Sequence, residues 1–284
     1  MLGIAISRDQ SNPATRGVKA GTDMDEAANP DRVLGGDGLW GGRLLLFHEL
    51  PSTNNWALAN AGSCGNGDVV CAASQSRGRG RFDRTWFSPG GSIALSLVLR
   101  PGIRAEHVLS NVAQAGAAAV HTTLAGFSIR AELKWPNDVI VRDRKIAGLL
   151  AEKDPASGSV ILGVGVNVNT AEPEFLEAGL RGIATSILVE TGKKVDTGSV
   201  RSLLISELAS ALTELFTVGA GKLFTSWSEH DWLSGAAIEV SPTEGGGVCG
   251  RYAGVDEAGR LRLVDAAGNE RLFWSGDVRK IGQT

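Results

Sequence analysis

The chain has 284 residues, enough for one large domain or a large one with a small companion. With 43% hydrophobic and 21% charged residues it has an ordinary globular composition, and a formal net charge of −3 lacks the basic surplus of a general nucleic-acid binder. No apolar run reaches the roughly 18 residues of a membrane span, no basic-then-apolar leader opens the chain, and Cys64, Cys71 and Cys249 share no metal-ligand spacing, which fits a reducing, cytoplasmic setting without a disulfide or structural zinc.

In chain order, residues 1–38 are polar and Gly/Pro-containing, show no periodicity, and read as a loosely attached arm. A strand is expected over Arg43–His48, ended by Pro51, with Ser52 or Thr53 capping a helix through Trp56–Ala59. Asp68–Ala73 and Ile93–Leu99 read as strands. Val108, Val112, Gly116, Ala119 and Val120 recur at helical spacing within Ala105–Leu124. Strand-like pieces follow at Arg130–Trp135, Val139–Val141, Ile146–Glu152 and Val160–Val168. Leu203 to Leu215 mark another amphipathic helix, and Trp227 and Trp232 a further helical segment. From Ser234 the texture changes to short strands at Ala237–Val240, Val248–Val255, Leu261–Val264 and Arg271–Trp274, joined by Gly-rich turns, as in a small β-barrel or sandwich. The expected class is α+β, divided into an arm (1–38), a main domain (39–233) and a small β domain (234–284).

The run Gly78-Arg79-Gly80-Arg81-Phe82-Asp83-Arg84-Thr85-Trp86 carries the most chemistry. Guanidinium forks match phosphate and carboxylate oxygens, glycine lets backbone approach a ligand closely, and an indole offers a face to a base. By itself the run is equally a solvated turn. Lys134-Trp135-Pro136-Asn137-Asp138 ends a predicted strand in a proline-stiffened turn. Lys145 opens a buried run with Gly148 three positions on. In Gly163-Val164-Gly165-Val166-Asn167-Val168-Asn169, strand alternation puts the glycines and asparagines on one face, a floor for a flat ligand. Neither a dinucleotide-binding Gly-x-Gly-x-x-Gly nor a phosphate-binding Gly-x-x-x-x-Gly-Lys-Ser/Thr loop occurs, and no Gly-x-Ser-x-Gly elbow stands out. The residue types suit catalysis by positioning and charge stabilisation, without a side-chain nucleophile.

Taken together, Ser52-Thr53-Asn54, Gln75, Gly78-Arg79-Gly80-Arg81-x-x-Arg84-x-Trp86, Lys134-Trp135-Pro136-Asn137-Asp138, Lys145-Ile146-Ala147-Gly148 and Gly165-Val166-Asn167 resemble the biotin protein ligases in order and spacing, over residues 40 to 284. The resemblance implies a class II aminoacyl-tRNA synthetase-like catalytic domain with a mixed sheet and a small SH3-like C-terminal domain. It implies that biotin and ATP, with Mg²⁺ carried by the ATP phosphates and no dedicated protein cage, give biotinyl-5′-AMP and pyrophosphate. Biotin then passes to a lysine of a biotin carboxyl carrier domain of an acyl-CoA carboxylase. By the same resemblance Lys145, Arg81 and Asp138 are catalytic. Ser52, Thr53, Asn54, Gln75, Gly78, Arg79, Arg81, Lys145 and Gly148 meet biotin, and Arg79, Arg84, Trp86, Asn137, Asp138 and Asn167 meet ATP or the adenylate. Asp277 and Lys280 are candidates for helping to close the site.

The chain departs from the family pattern at Asp83, where glycine is frequent, and at Arg77, where alanine is frequent. Asp83 is expected to pair with Arg81 or Arg84 if it offsets their repulsion; otherwise the loop is expected to be mobile without ligand. Residues 1–39 carry no helix-turn-helix pattern, so a ligase without DNA binding is expected. A lipoate–protein ligase and a biotin-responsive binding or regulatory protein are the rival readings, and no pattern fixes the oligomeric state.

Overall fold

The structure, a computed structural model, describes residues 28–100, 108–242 and 246–282. Eight strands form one mixed sheet in the order β1 (Arg32–Gly35), β2 (Arg43–Leu50), β3 (Val69–Gln75), β4 (Ile93–Leu99), β8 (Val160–Val166), β7 (Arg144–Lys153), β6 (Asp138–Val141), β5 (Glu132–Lys134). Only β2 and β3 run parallel, joined through helix α1 (Thr53–Ala59); the other neighbours are antiparallel. Strand β2 is covered on both faces because it carries apolar residues on both sides. Leu44 joins the large core with α2 (Val108–Ala125) and α5 (Thr197–Thr217), while Leu45 and Phe47 join Trp56 and Ala57 of α1 in a second core. The Ser52 hydroxyl accepts the Asn55 N–H at 3.4 Å and caps α1, which fixes residues 52–54 at the end of β2.

A second sheet, five-stranded and antiparallel, has the order β12 (Glu270–Phe273), β11 (Leu261–Val264), β10 (Val248–Val255), β9 (Ala237–Ser241), β13 (Asp277–Lys280). Ile238, Val240, Tyr252, Leu261, Leu263 and Val278 of this sheet belong to the same apolar cluster as the main core. Its β10–β11 turn plugs into the main sheet's helical layer. There the Gly259 carbonyl accepts from Gln114 Nε2 at 2.9 Å and from Trp135 Nε1 at 3.0 Å. Gly259 has φ +90°, and a Cβ there would lie 2.5 Å from Gln114 Oε1, so only glycine fits this joint.

Two expectations need adjustment, and two fall wholly or partly outside the described residues. Residues 1–27, and the expected helix start at 105–107, lie outside the described residues. Within the expected arm, Arg32–Gly35 pairs with β2 as an edge strand; it went unseen because it is short and mostly exposed. Trp232 is not helical. It follows α6 (Gly221–Glu229) in a turn, where its N–H donates to the Leu133 carbonyl at 3.0 Å and its Nε1 to Asp143 at 2.8 Å. Helices α3 (Glu172–Glu177) and α4 (Ile187–Thr191), together with β13, were not foreseen; each is too short to show a period.

Candidate active site

A cavity opens on the β4–β8–β7 surface, under the connection from β3 to β4 and beside the second sheet. Its floor is the antiparallel pair Gly148–Gly165. Trp86 lies against this pair: a Cβ at Gly165 would come within 2.4 Å of the indole Cε2, and one at Gly148 within 3.2 Å of Cζ3. The glycines thus make a flat surface, and the chain's own indole rests on it. The Trp86 Nε1 is buried and donates to no protein group among the described residues, which leaves an open donor on the cavity wall.

Lys145 reaches this floor through a β-bulge. Val139 faces Ala147, but the next pair is Ile140 with Lys145, so Ile146 is the extra residue. In a regular strand, residues three apart point to opposite faces. The bulge turns Lys145 to the same cavity as Gly148, a common use of such irregularities beside active sites. The Lys145 ammonium is 2.6 Å from Asp138 Oδ1 and 5.4 Å from the Trp86 ring centroid. The Lys145 backbone is pinned on both sides, by N–H to Ile183 O at 2.8 Å and by Thr185 N–H to Lys145 O at 3.0 Å. The Trp135–Pro136 peptide in the β5–β6 turn is cis. Asn137 follows it, with its Nδ2 donating to Leu149 O at 2.5 Å and its Oδ1 facing Arg81.

The arginine run is a short hairpin-like flap. Trp86 N–H donates to Gly78 O at 2.9 Å, Gly80 N–H to Arg84 O at 2.7 Å, and Arg79 bridges Thr85. Its tip, Arg81–Asp83, is a single 3₁₀ turn with Phe82 and Asp83 in the left-handed region at φ 55° and 56°. A glycine at position 83 would suit this backbone, and aspartate is among the few side chains that visit it readily. The three arginines end on different walls. Arg79 forks onto Glu152, Nη2 to Oε1 at 2.9 Å, and also donates to Asn55 Oδ1 at 2.7 Å. Arg81 donates to Asn137 Oδ1 at 3.2 Å and to the Gly276 carbonyl at 3.3 Å. Arg84 pairs with Asp277 of β13. Asp83 forms no ion pair among the described residues; the partners that offset the arginines come from outside the loop.

Electrostatically, five cations line the cavity: Arg79, which is paired with Glu152, and Arg81, Arg84, Lys134 and Lys145. Lys145 and Arg84 are ion-paired, whereas Arg81 and Lys134 form no ion pair among the described residues. Burial pulls both of these below their ordinary pKa, against the opposing pull of Asp138 and Asp277. The Lys134 ammonium also sits 5.1 Å from the Trp232 ring centroid, with Lys280 at 3.9 Å from the same ring. A desolvated cation without a counter-ion is a receptor for an anion. At the deep end, Thr53 N–H donates to Gln75 Oε1 at 2.8 Å, and the buried Ser96 hydroxyl lies 2.8 Å from Thr53 Oγ1.

Ser52, Thr53, Asn54, Gln75, Arg79, Arg81, Arg84, Trp86, Asn137, Asp138, Lys145 and Gly148 therefore line one cavity, and Asp277 joins them. Gly78 and Asn167 do not line it. Gly78 closes the base of the flap, and Asn167, just past β8, donates from Nδ2 to Thr185 O at 3.0 Å and so ties down the segment that pins Lys145. Lys280 stacks on Trp232 and stays outside the lining. Two participants had no assigned role in the sequence reading. Lys134 was visible only as part of its motif, although it sits opposite Asp138 across the β5–β6 turn. Glu152 carried a usable signal, since alternation from Gly148 places positions 148, 150 and 152 on one face.

The sequence and the fold have known counterparts. The profile of the biotin/lipoate A/B protein ligase family matches residues 46–169. The bifunctional ligase/repressor BirA of Bacillus subtilis is 30% identical over 244 residues, which cover 84% of this chain and 74% of that protein. A biotin–[acetyl-CoA-carboxylase] ligase of Paracoccus denitrificans is 33% identical over 234 residues, covering 79% of this chain and 95% of that protein. The solved structure of the biotin protein ligase from Aquifex aeolicus in complex with biotin and ATP superposes with a TM-score of 0.74 at 25% identity, over 84% of this chain and 98% of that one. The matched segment runs from β2 through β8 and so carries the glycine floor, the flap and Lys145; on these grounds the chain belongs to the biotin/lipoate A/B protein ligase family.

Proposed function

We propose that the chain is a biotin protein ligase that activates biotin with ATP and transfers it to a lysine of a biotin carboxyl carrier domain. The observation that supports this reading most is the convergence of Lys145, Arg81, Arg84 and Lys134 on a floor of paired glycines, with Arg81 and Lys134 lacking counter-ions. Both reactants of the first step are anions, so their approach needs fixed positive charge in a place shielded from water.

In the first step a biotin carboxylate oxygen attacks the α-phosphorus of ATP. The bond to the β-phosphate oxygen breaks, and pyrophosphate leaves from biotinyl-5′-AMP. Lys145 is placed to neutralise the acyl-phosphate oxygens, with Asp138 holding its ammonium against the floor. Arg81 and Lys134 serve the phosphate chain. Ser52, Thr53 and Gln75 are the polar end suited to biotin's ring system, and Trp86 the aromatic wall of the adenylate. In the second step the neutral ε-amine of the acceptor lysine attacks the acyl carbon and AMP departs, so no protein nucleophile is required. Magnesium is carried in as part of the nucleotide substrate. Asp138 and Asp277, ion-paired with Lys145 and Arg84, are the hard oxygen donors on the wall that would face it. No helix among the described residues is long and apolar enough to cross a membrane.

The test is incubation of the purified chain with ATP, magnesium, a carrier domain and either labelled biotin or labelled lipoate. Biotin on the carrier lysine is the expected result. Lipoate attachment in its place, or attachment of neither, overturns the reading.

A further inference from the structure

We infer that Glu152 is a positioning residue that ties the flap to the deep end of the cavity, one carboxylate being shared by the arginine that folds over the ligand and the amide that backs the ring pocket. It deepens the ligase reading and rests on it for the ligand's identity.

Glu152 lies near the end of β7 and is not part of the cavity lining. Its Oε1 accepts Arg79 Nη2 at 2.9 Å, and its Oε2 accepts Arg79 Nη1 at 3.2 Å and Asn54 Nδ2 at 2.8 Å. Asn54 is buried at 4% exposure, and its other amide hydrogen goes to Leu150 O at 3.2 Å. Its Oδ1 is 2.6 Å from the Ser96 hydroxyl, which in turn is 2.8 Å from Thr53 Oγ1. A continuous polar path therefore runs Thr53, Ser96, Asn54, Glu152, Arg79, from the pocket floor to the flap.

Two consequences follow from counting donors. Asn54 has both N–H groups engaged, so it has no N–H donor left for a ligand and acts as a link in the path. Arg79 has its charge met by Glu152 and one Nη1 hydrogen held by Asn55. It is thus a clamp, and Arg81 is left as the flap's receptor for the ligand anion. A bidentate guanidinium–carboxylate pair is directional and holds its geometry better than a single contact. The pair is partly exposed, 39% for Arg79 and 22% for Glu152, so its expected bias on flap closure is modest, about two- to fivefold.

The experiment uses the full chain and the variants Glu152→Gln and Glu152→Asp, each checked for an unchanged thermal midpoint. Trypsin cleavage within residues 79–84 is timed with and without biotin, and biotin KM and kcat for pyrophosphate release are measured. Glu152→Gln is expected to speed flap cleavage in the absence of biotin about two- to fivefold. It is also expected to raise biotin KM by a similar factor, with kcat within about twofold; Glu152→Asp should restore part of both. Should Glu152→Gln fail to fold, Glu152→Asp carries the same test at a smaller expected shift, because it keeps the charge and shortens the reach to Arg79 and Asn54. Unchanged cleavage and unchanged KM in the folded variants overturn the inference, as does a fall in kcat alone. Flap cleavage without ligand reads the clamp even if the wild-type chain does not activate biotin, so failure of the ligase reading and failure of this inference are separable.

Discussion

Arg84 of the flap and Asp277 at the head of β13 form a two-point ion pair, with Nη1 at 3.2 Å from Oδ1 and Nη2 on Oδ2. The flap is therefore held at one end by the main sheet, through Glu152, and at the other by the C-terminal sheet. The joint at Gly259 makes that second hold rigid, since it fixes the C-terminal sheet against α2 and Trp135.

The Arg84–Asp277 pair is largely exposed, at 62% and 49%, so it is worth no more than about 1 kcal/mol. Asp277→Asn is expected to leave the thermal midpoint unchanged and to speed release of preformed biotinyl-5′-AMP roughly fivefold, read by filtration of the labelled complex. Hydrogen bonding to Arg84 is the main cause that holds the Asp277 carboxyl below its ordinary pKa. The contact is therefore present at and above the ordinary carboxylate range and is lost only as pH falls through that lowered value. Retention of adenylate that is indifferent to Asp277→Asn contradicts this role.

Gly165→Ala places a methyl group 2.4 Å from the Trp86 indole, and the three atoms nearest to it all belong to that ring. Overpacking of this kind costs on the order of 1–3 kcal/mol. The expected outcome is a folded protein with an altered near-ultraviolet circular dichroism signal and at least a tenfold loss in kcat/KM for adenylate formation. Unchanged kinetics would separate Trp86 and its glycine floor from the reaction.

Lys134 and Lys145 divide the cavity's positive charge differently. Lys145 is compensated by Asp138; Lys134 has no ion-pair partner among the described residues. Lys134→Met is expected to raise ATP KM by about ten- to a hundredfold while biotin KM stays within about twofold, measured by pyrophosphate release. An equal rise in both constants contradicts a phosphate role for Lys134.

Much of this arrangement was readable in advance. Strands β4 and β10 coincide with their expected spans because each is a compact apolar or alternating run between breakers. The alternation of Gly163 and Gly165 also places the cavity floor. What escaped has local causes. The bulge at Ile146 breaks the period that would have turned Lys145 away from Gly148. Asn167, expected on the floor by simple alternation, falls beyond the last strand residue and turns to Thr185. Strand β13 offers one buried side chain, Val278, too little for a pattern, yet it delivers Asp277. The carboxylates that hold the flap lie 73 and 193 positions away from their arginines, a pairing that no local reading supplies and that Asp83, next door in sequence, does not make.

Asp231, at the junction of the two sheets, gives a pH test of that joint. Burial pushes its carboxyl up to about 6, while the Tyr252 hydroxyl donates to it. A folded pKa above the unfolded value means that the folded state holds the extra proton. The stability contribution is therefore full below about pH 4 and is lost as pH rises through about 6. Asp231→Asn is expected to abolish this slope and to equal or exceed the wild type at pH 7, by up to about 2–3 kcal/mol in urea unfolding. A wild-type stability that rises between pH 4 and 6, with the same rise in the variant, contradicts the assignment.

The central claim is that this cavity joins biotin to the α-phosphate of ATP, with Lys145 carrying the charge stabilisation. The measurement that tests it most directly is a single-turnover reaction of the purified chain with biotin and ATP labelled at the α-phosphate, with the product resolved as biotinyl-5′-AMP. One equivalent of adenylate from the wild type is predicted, with formation slowed on the order of 10²–10³-fold in folded Lys145→Ala. A wild-type rate in Lys145→Ala, or no biotin-dependent adenylate from the wild-type chain, would contradict it.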